Sequence, residues 1–178
     1  MKRHKFLNFG SGERRIKNAF NVDVNEYCKP DLVWDLNKTP YPFEKNRFEK
    51  VYCYDILEHL DDLLSVMGEL HRICKPSAKI IIEAPHFSFV NAYTDPTHKH
   101  FFSLGSFDYF TESNQWKYYT ENKFRFKPIK KKIVFQKGLF KKCLERFFNA
   151  HPKLYESKFA WLVPAEKIEL VLEVIKEH

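Results

Sequence analysis

The sequence predicts a mixed α/β domain on a mainly parallel sheet, and three observations carry that expectation. Short apolar runs recur at Lys5–Phe9, Ala19–Val24, Asp31–Asp35 and Lys50–Asp55, and each stops at a glycine turn or on an acid. A segment of helical period follows, and after it comes a further apolar run at Lys79–Ala84. Strands that alternate with helical segments pack as parallel neighbours joined by right-handed crossovers.

The first run, Lys5-Phe-Leu-Asn-Phe9, reads as a buried strand closed by the turn Gly10-Ser11-Gly12. The second and third end on Asp23-Val24 and Asp35, and Pro40 and Pro42 then keep the chain extended. Three strands this close together leave little room for crossover helices. Leu63, Val66, Met67, Leu70, Ile73 and Cys74 recur at helical spacing, with Asp61 and Asp62 suited to the first turn and Pro76 as the stop. Beyond residue 86 the pattern predicts an aromatic loop and short helix to about residue 112, a strand over about 126–136 and an amphipathic segment near 138–149. Ile168, Leu170, Leu172 and Val174 alternate within Ala165–Lys176, which reads as a strand paired to the 126–136 strand, although its Glu and Leu content also suits a helix. These runs make about seven strands, five of them expected to be parallel. The 178 residues suit one domain, with residues 1–86 and 87–178 as its two halves.

A chain that is 44% hydrophobic and 30% charged has the apolar content of a folded domain, not of a disordered one. No run reaches the roughly 18 to 20 apolar residues that cross a bilayer, and the start passes directly into a strand-like segment, so a cytoplasmic protein with no membrane partner is expected. Cys28, Cys53, Cys74 and Cys143 form no CxxC pair, which argues for reduced thiols and against a zinc or disulfide framework. The net charge of +7 is concentrated: Lys123, Arg125, Lys127, Lys130, Lys131, Lys132, Lys137, Lys141, Lys142 and Arg146 stand against Glu145 alone.

In doubly wound sheets ligands bind beyond the carboxyl ends of the strands. Gly10, Ser11, Gly12, Asp23, Asp35, Asp55, Pro85 and His86 occupy those positions. A glycine turn admits a ligand close to the backbone, a carboxylate at the next strand end accepts both hydroxyls of a ribose, and a third acid can receive an adenine amino group. Taken singly, a Gly-x-Gly is usually a turn and a strand-end Asp a solvated cap; their order is what describes an adenosine. A dinucleotide fits poorly, since its fingerprint wants G-x-G-x-x-G with an acid about 20 residues on. Here Arg15 holds the third glycine position and Asp23 follows Gly12 by eleven residues.

In sequence order, Leu7-Asn-Phe-Gly-Ser-Gly12, Asn21-Val-Asp-Val24, Trp34-Asp-Leu-Asn37, Tyr41-Pro-Phe43, Phe48 to Val51, Asp55-Ile-Leu-Glu-His-Leu60 and Glu69-Leu-His-Arg-Ile-Cys-Lys-Pro76 resemble class I S-adenosylmethionine-dependent methyltransferases of the small methyltransferase-domain type. The resemblance covers residue 5 to about residue 90. It implies a Rossmann-like methyltransferase fold with one antiparallel strand near the C-terminus, and S-adenosylmethionine as cofactor. By that resemblance Phe9, Gly10, Ser11 and Gly12 cradle its amino-acid end, Asp23 with Val24 binds the ribose, Asp35 with Leu36 binds adenine, and Asp55, Ile56 and Leu57 floor the sulfonium site. The chain departs from the family where Glu13-Arg14 replace the usual third glycine, which implies a very short first helix.

Methyl transfer from a sulfonium is an in-line displacement governed by positioning, with acid-base help when the nucleophile must lose a proton. His59, His86, His98 and His100 are the candidate catalytic residues. A metal set drawn from Asp95, His98, His100 and His86 lacks a supporting second ligand motif, so no metal is assigned. The acceptor side is expected in Pro85–Phe110, whose aromatic residues Phe87, Phe89, Tyr93, Phe101, Phe102, Phe107, Tyr109 and Phe110 are read chiefly as core. Lys130, Lys131 and Lys132 read as a solvated face in preference to a landing site for nucleic acid or another anion. The expected activity is methyl transfer to a small-molecule or anionic acceptor; the alternative is a non-catalytic partner subunit or a nucleic-acid-binding module. No Asn-Pro-Pro-Tyr motif follows the fourth strand, where Asp55-Ile-Leu-Glu58 stands instead, so oxygen and carbon acceptors are left open.

Overall fold

Leu7, Phe9, Val51 and Cys53 are fully buried because β1 (Phe6–Phe9) lies between β2 (Ala19–Asp23) and β4 (Phe48–Tyr54), parallel to both. The computed structural model describes residues 4–111 and 125–176, so Lys123 of the basic stretch lies outside the described residues. With β3 (Leu32–Val33), β5 (Cys74–Pro85), β6 (Arg125–Val134) and β7 (Lys167–Ile175), the strands form one seven-stranded sheet in the order β3-β2-β1-β4-β5-β7-β6. Because β7 is antiparallel to both β5 and β6, β6 runs with the first five strands. Six strands are thus parallel, one more than the sequence predicts. The period of two over residues 165–176 is realised as β7, burying Ile168, Leu170, Leu172 and Val174 on one face; a helix would scatter those four around its circumference. β7 pairs with β5 as well as with the expected β6.

Two boundaries differ from those predicted. Pro76 does not stand beyond the helix as a stop: β5 begins at Cys74, and Pro76 sits in its irregular start, where the register shifts and Ser77 takes φ +59°. The third strand is shorter than Asp31–Asp35, because the Asp31 side chain accepts from the Asn21 backbone while Asp35 starts a turn through Asn37 and Lys38.

The links between the first four strands carry no α-helix, so their backbone groups need other partners. After β1 the loop is satisfied by two buried amides: Asn8 Nδ2 donates to Arg14 O at 2.8 Å, and Asn21 Oδ1 accepts from Ile16 N at 2.9 Å and from Asn8 Nδ2 at 3.0 Å. After β3 the loop is held against α1 (Leu63–Ile73). Glu69 Oε2 accepts from Tyr41 N at 2.6 Å, and Arg72, paired with Glu69, donates to Tyr41 O and Phe43 O. The Glu69-Leu-His-Arg72 block therefore acts as a clamp that buries Tyr41 and Phe43.

α1 buries Val66, Met67, Leu70 and Ile73 and starts at Asp62, whose carboxylate accepts from Ser65 N at 3.0 Å. Hydrogen bonds from Ser65 hold the Asp62 carboxyl below its ordinary pKa, so its contribution is present above the unfolded-state value near pH 4 and fades as pH falls through the lower folded value. Asp62→Ala is expected to cost about 1 kcal/mol at neutral pH in urea unfolding, and the difference from the parent should shrink in acid.

Past β5 the chain forms α2 (Asn91–Thr94), a 3-10 turn at Ser106–Phe110, α3 (Lys141–Ala150) and α4 (Pro152–Leu154), the last running into a π-turn at Tyr155–Phe159. Phe102, Phe107 and Phe110 are core, as read from the sequence, whereas Tyr93 and Phe101 are exposed and stack on each other at 4.7 Å.

Candidate active site

The glycine turn after β1 is pinned to β2. Gly10 N and Ser11 N both donate to Val22 O, and Gly12 N donates to Asp23 Oδ2 at 2.7 Å. Gly10 and Gly12 adopt φ +72° and +45°, which L side chains resist. Asn25 N donates to Asp23 Oδ1 at 2.9 Å, so amides orient the carboxylate while each oxygen keeps a lone pair for a hydroxyl. Ser11 Oγ is buried with no partner among the described residues, and Val24, beside Asp23, is 64% exposed. Asp35 Oδ1 accepts from Asn37 N at 3.0 Å, and its other oxygen lies 3.8 Å from Lys38 Nζ. Phe9, Leu36 and Leu57 are core, so they meet a ligand mainly through backbone, while the Ile56 side chain lies directly against Gly10. A buried orphan hydroxyl, an amide-held carboxylate and a bare apolar side chain in series fit the adenosine and amino-acid parts of S-adenosylmethionine.

A cavity of about 750 Å³ opens beyond the ends of β4 and β5, with Asp55, Glu58, His59, Asp95, His98 and Lys167 in its wall. Local structure explains each position. Asp55 is held at φ +49°, its N–H donating to Glu83 O at 2.9 Å, and this left-handed residue turns the chain out of β4 into the 3-10 turn Leu57–His59. Antiparallel β7 starts at the same edge, so Lys167 pairs with Pro85. The turn after α2 supplies Asp95 and His98.

Hydrogen bonds define the state of both histidines. Thr97 Oγ1 donates its only proton to Asp95 Oδ1 at 2.7 Å, so it must accept from His59 Nδ1 at 2.9 Å. His98 Nδ1 lies 2.9 Å from Ala92 O, which can only accept. Each neutral imidazole is therefore protonated at Nδ1 and keeps a lone pair at Nε2. The rings meet edge to face at 4.7 Å. Glu58 is 1% exposed, and among the described residues neither carboxylate oxygen has a hydrogen-bond partner on another residue. Burial, reinforced by the charges of Asp55 and Asp95, pushes its pKa to about 7. Burial and the neighbouring His98 lower that of His59. Asp55 is raised by the protein around it and by Glu83, against Lys167 and Arg14. One ligating atom from each of Glu58, His59 and His98 can lie within 4.8 Å of the other two.

The structure divides the four candidate histidines. His59 and His98 line the cavity. His86 is fully buried, with Ser88 Oγ at 2.8 Å from Nδ1 and Glu156 Oε1 at 3.3 Å from Nε2. His100 binds Leu60 O through Nε2 at 2.7 Å. The set Asp95, His98, His100 and His86 is accordingly not one cluster, and Glu58, which sequence reasoning missed, completes a different one. Its only signal in the sequence is its place in the Leu57-Glu-His59 block.

Residues 14–82 match the family described as the methyltransferase domain. The fold is similar to a S-adenosylmethionine-dependent methyltransferase from Archaeoglobus fulgidus, at 17% identity and TM-score 0.59 over 94% of this chain and 85% of that one. It is also similar to the YcgJ protein from Bacillus subtilis (14% identity, TM-score 0.61, 98% and 93% covered). A third likeness is to a S-adenosylmethionine-dependent methyltransferase from Mesorhizobium loti (12%, 0.60, 95% and 90%). No curated protein matches in sequence. Residues 14–82 thus match the methyltransferase-domain model, and the chain has the α/β fold of these methyltransferase structures, as the resemblance implied. Among the described residues no helix is long and apolar enough to cross a membrane.

Proposed function

We propose that this chain transfers a methyl group from S-adenosylmethionine to a small acceptor held in the cavity beside Asp55, Glu58, His59 and His98. The observation that carries this reading is adjacency: Asp55 walls the cavity, while the next residue, Ile56, packs on Gly10 of the turn that suits the cofactor. The cofactor, when bound, supplies an electrophilic methyl on sulfur. The chain's own part is to hold the ribose at Asp23, to hold the reacting group of the acceptor beside His59 and His98, and to take its proton on Asp55, whose raised pKa suits a base. As the acceptor's lone pair bonds to the methyl carbon, the carbon–sulfur bond breaks and its electron pair stays on sulfur.

Calorimetry with S-adenosylhomocysteine tests the cofactor half. The parent is expected to bind saturably, and Asp23→Ala to bind more weakly by about 1 to 3 kcal/mol, the cost of leaving polar groups without their charged partner. No binding at millimolar ligand would sink the reading, and an unchanged dissociation constant would move the ribose elsewhere.

The basic run supports a small acceptor over a nucleic acid. Lys130, Lys131 and Lys132 pair with Glu169, Asp108 and Glu145 at 3.0, 2.8 and 2.8 Å, so their charge is largely answered within the chain. Binding of RNA or DNA is therefore expected to be undetectable at physiological salt; tight binding that falls steeply with added salt would overturn that choice.

A further inference from the structure

We propose that Glu58, His59 and His98 form a site for one divalent first-row transition-metal ion, whose open coordination positions hold a hydroxyl oxygen of the acceptor. The metal site stands on these residues alone; the role given to the ion rests on reading the cavity as the acceptor site.

Three observations converge on it. Glu58 is enclosed, yet neither carboxylate oxygen is met by a donor from another residue. Buried carboxylates are ordinarily paired with a cation or bound to a metal, and no lysine or arginine reaches this one among the described residues. His59 and His98 place ligating atoms within 4.8 Å of that carboxylate, close enough for all three to meet one ion. Finally, the outer contacts are those of metal-bound imidazoles: the far nitrogen of His98 donates to a backbone carbonyl, and that of His59 donates through Thr97 to the Asp95 carboxylate. Such contacts fix the tautomer and aim the other nitrogen at a metal. Asp95 belongs to that outer layer, since its Oδ1 is taken by Thr97 N at 2.8 Å and Thr97 Oγ1 at 2.7 Å.

Two imidazoles and one carboxylate define the class of ion. Magnesium and calcium favour all-oxygen sets, whereas this set suits zinc, iron, cobalt or manganese and, with only three protein ligands, leaves positions open. All three ligands line the 750 Å³ cavity. An alcohol or phenol oxygen bound there is acidified by the ion. Its proton passes to Asp55, the oxygen lone pair forms the bond to the methyl carbon, and the carbon–sulfur bond breaks with its electron pair left on sulfur. No redox change is needed.

The test uses the full chain freed of metal by chelator dialysis, with its fold verified by circular dichroism. It is titrated with Zn²⁺ by calorimetry and with Co²⁺ by visible absorption, with Mg²⁺ for comparison. We expect one Zn²⁺ or Co²⁺ per chain, Co²⁺ ligand-field bands, and much weaker Mg²⁺ binding. His98→Ala and the near-isosteric Glu58→Gln should each lower Zn²⁺ affinity about 100-fold or more, and Thr97→Val, an outer-layer change, about 10-fold. A parent that binds no Co²⁺, or a folded His98→Ala variant that binds Zn²⁺ as tightly as the parent, overturns the site. S-adenosylhomocysteine is titrated in parallel. Nucleoside binding without metal removes this inference and leaves the methyltransferase reading, while metal binding without nucleoside does the reverse.

Discussion

His98→Ala is expected to lower methyl-transfer turnover by about 10²-fold or more while leaving affinity for S-adenosylhomocysteine within a few-fold of the parent. The reason lies in geometry. His98 is only partly buried, its ring meets His59, and its Nδ1 is anchored to Ala92 O, so removing it clears a lone pair from the cavity without touching the glycine turn or Asp23. Turnover is read as S-adenosylhomocysteine formed with the best acceptor from a panel of small alcohols, phenols and carbon acids. His100 and His86 serve as controls with opposite signatures. His100→Ala should spare turnover, because its Nε2 is spent on Leu60 O outside the cavity wall. His86→Ala should instead cost about 1 to 3 kcal/mol of stability, because it removes a fully buried ring and its hydrogen bonds to the Ser88 hydroxyl and a Glu156 oxygen. If His98→Ala folds and turns over normally, the cavity is not where the acceptor reacts.

Gly10→Ala is expected to destabilise the fold by about 2 to 5 kcal/mol in urea unfolding, from a left-handed backbone of about 1 to 2 kcal/mol and overpacking of about 1 to 3 kcal/mol. A Cβ at residue 10 would lie 2.3 Å from Ile56 Cγ1, well inside contact distance. Gly12 is the internal comparison: it also has positive φ, but a Cβ there meets nothing within 4 Å, so Gly12→Ala should cost only the backbone part. Adding Ile56→Ala to Gly10→Ala should recover part of the loss, because the two positions share one space. Equal stability of the two single glycine variants would mean that Ile56 does not pack on the turn.

The contrast between these residues shows what the sequence makes legible. Strand-forming runs and their order are local properties, so β1, β2, β4 and β5 could be read from apolar period and turn residues, and β7 from the alternation of Ile168, Leu170, Leu172 and Val174. Strand direction at the C-terminal edge depends on pairing across the sheet, and six parallel strands, not five, followed from β6 joining the far side of β7. Pro76 was readable as a helix breaker, but a bulge in the β4–β5 register let it enter a strand. Glu69 and Arg72 sit at helical spacing like any surface ion pair; only the fold brings Tyr41 and Phe43 against them.

The glycine turn and strand-end acids proposed to hold the cofactor were legible for the same local reason, since they are consecutive with their strands. The grouping of side chains around the cavity was not. His98 and His59 are 39 residues apart, and nothing local distinguishes His98 from His100, two positions on, which turns to a backbone carbonyl instead. Glu58 looked like one more acid in a motif, and its role depends on being buried without a donor.

The measurement that bears most directly on the account is a crystal structure of the chain with S-adenosylhomocysteine. We expect the ribose on Asp23, the amino-acid end over Gly10–Gly12, and the sulfur above Asp55 and Ile56, directed into the cavity walled by Glu58, His59 and His98. A nucleoside seated instead within that cavity, with Asp23 still occupied only by Gly12 and Asn25, would contradict it.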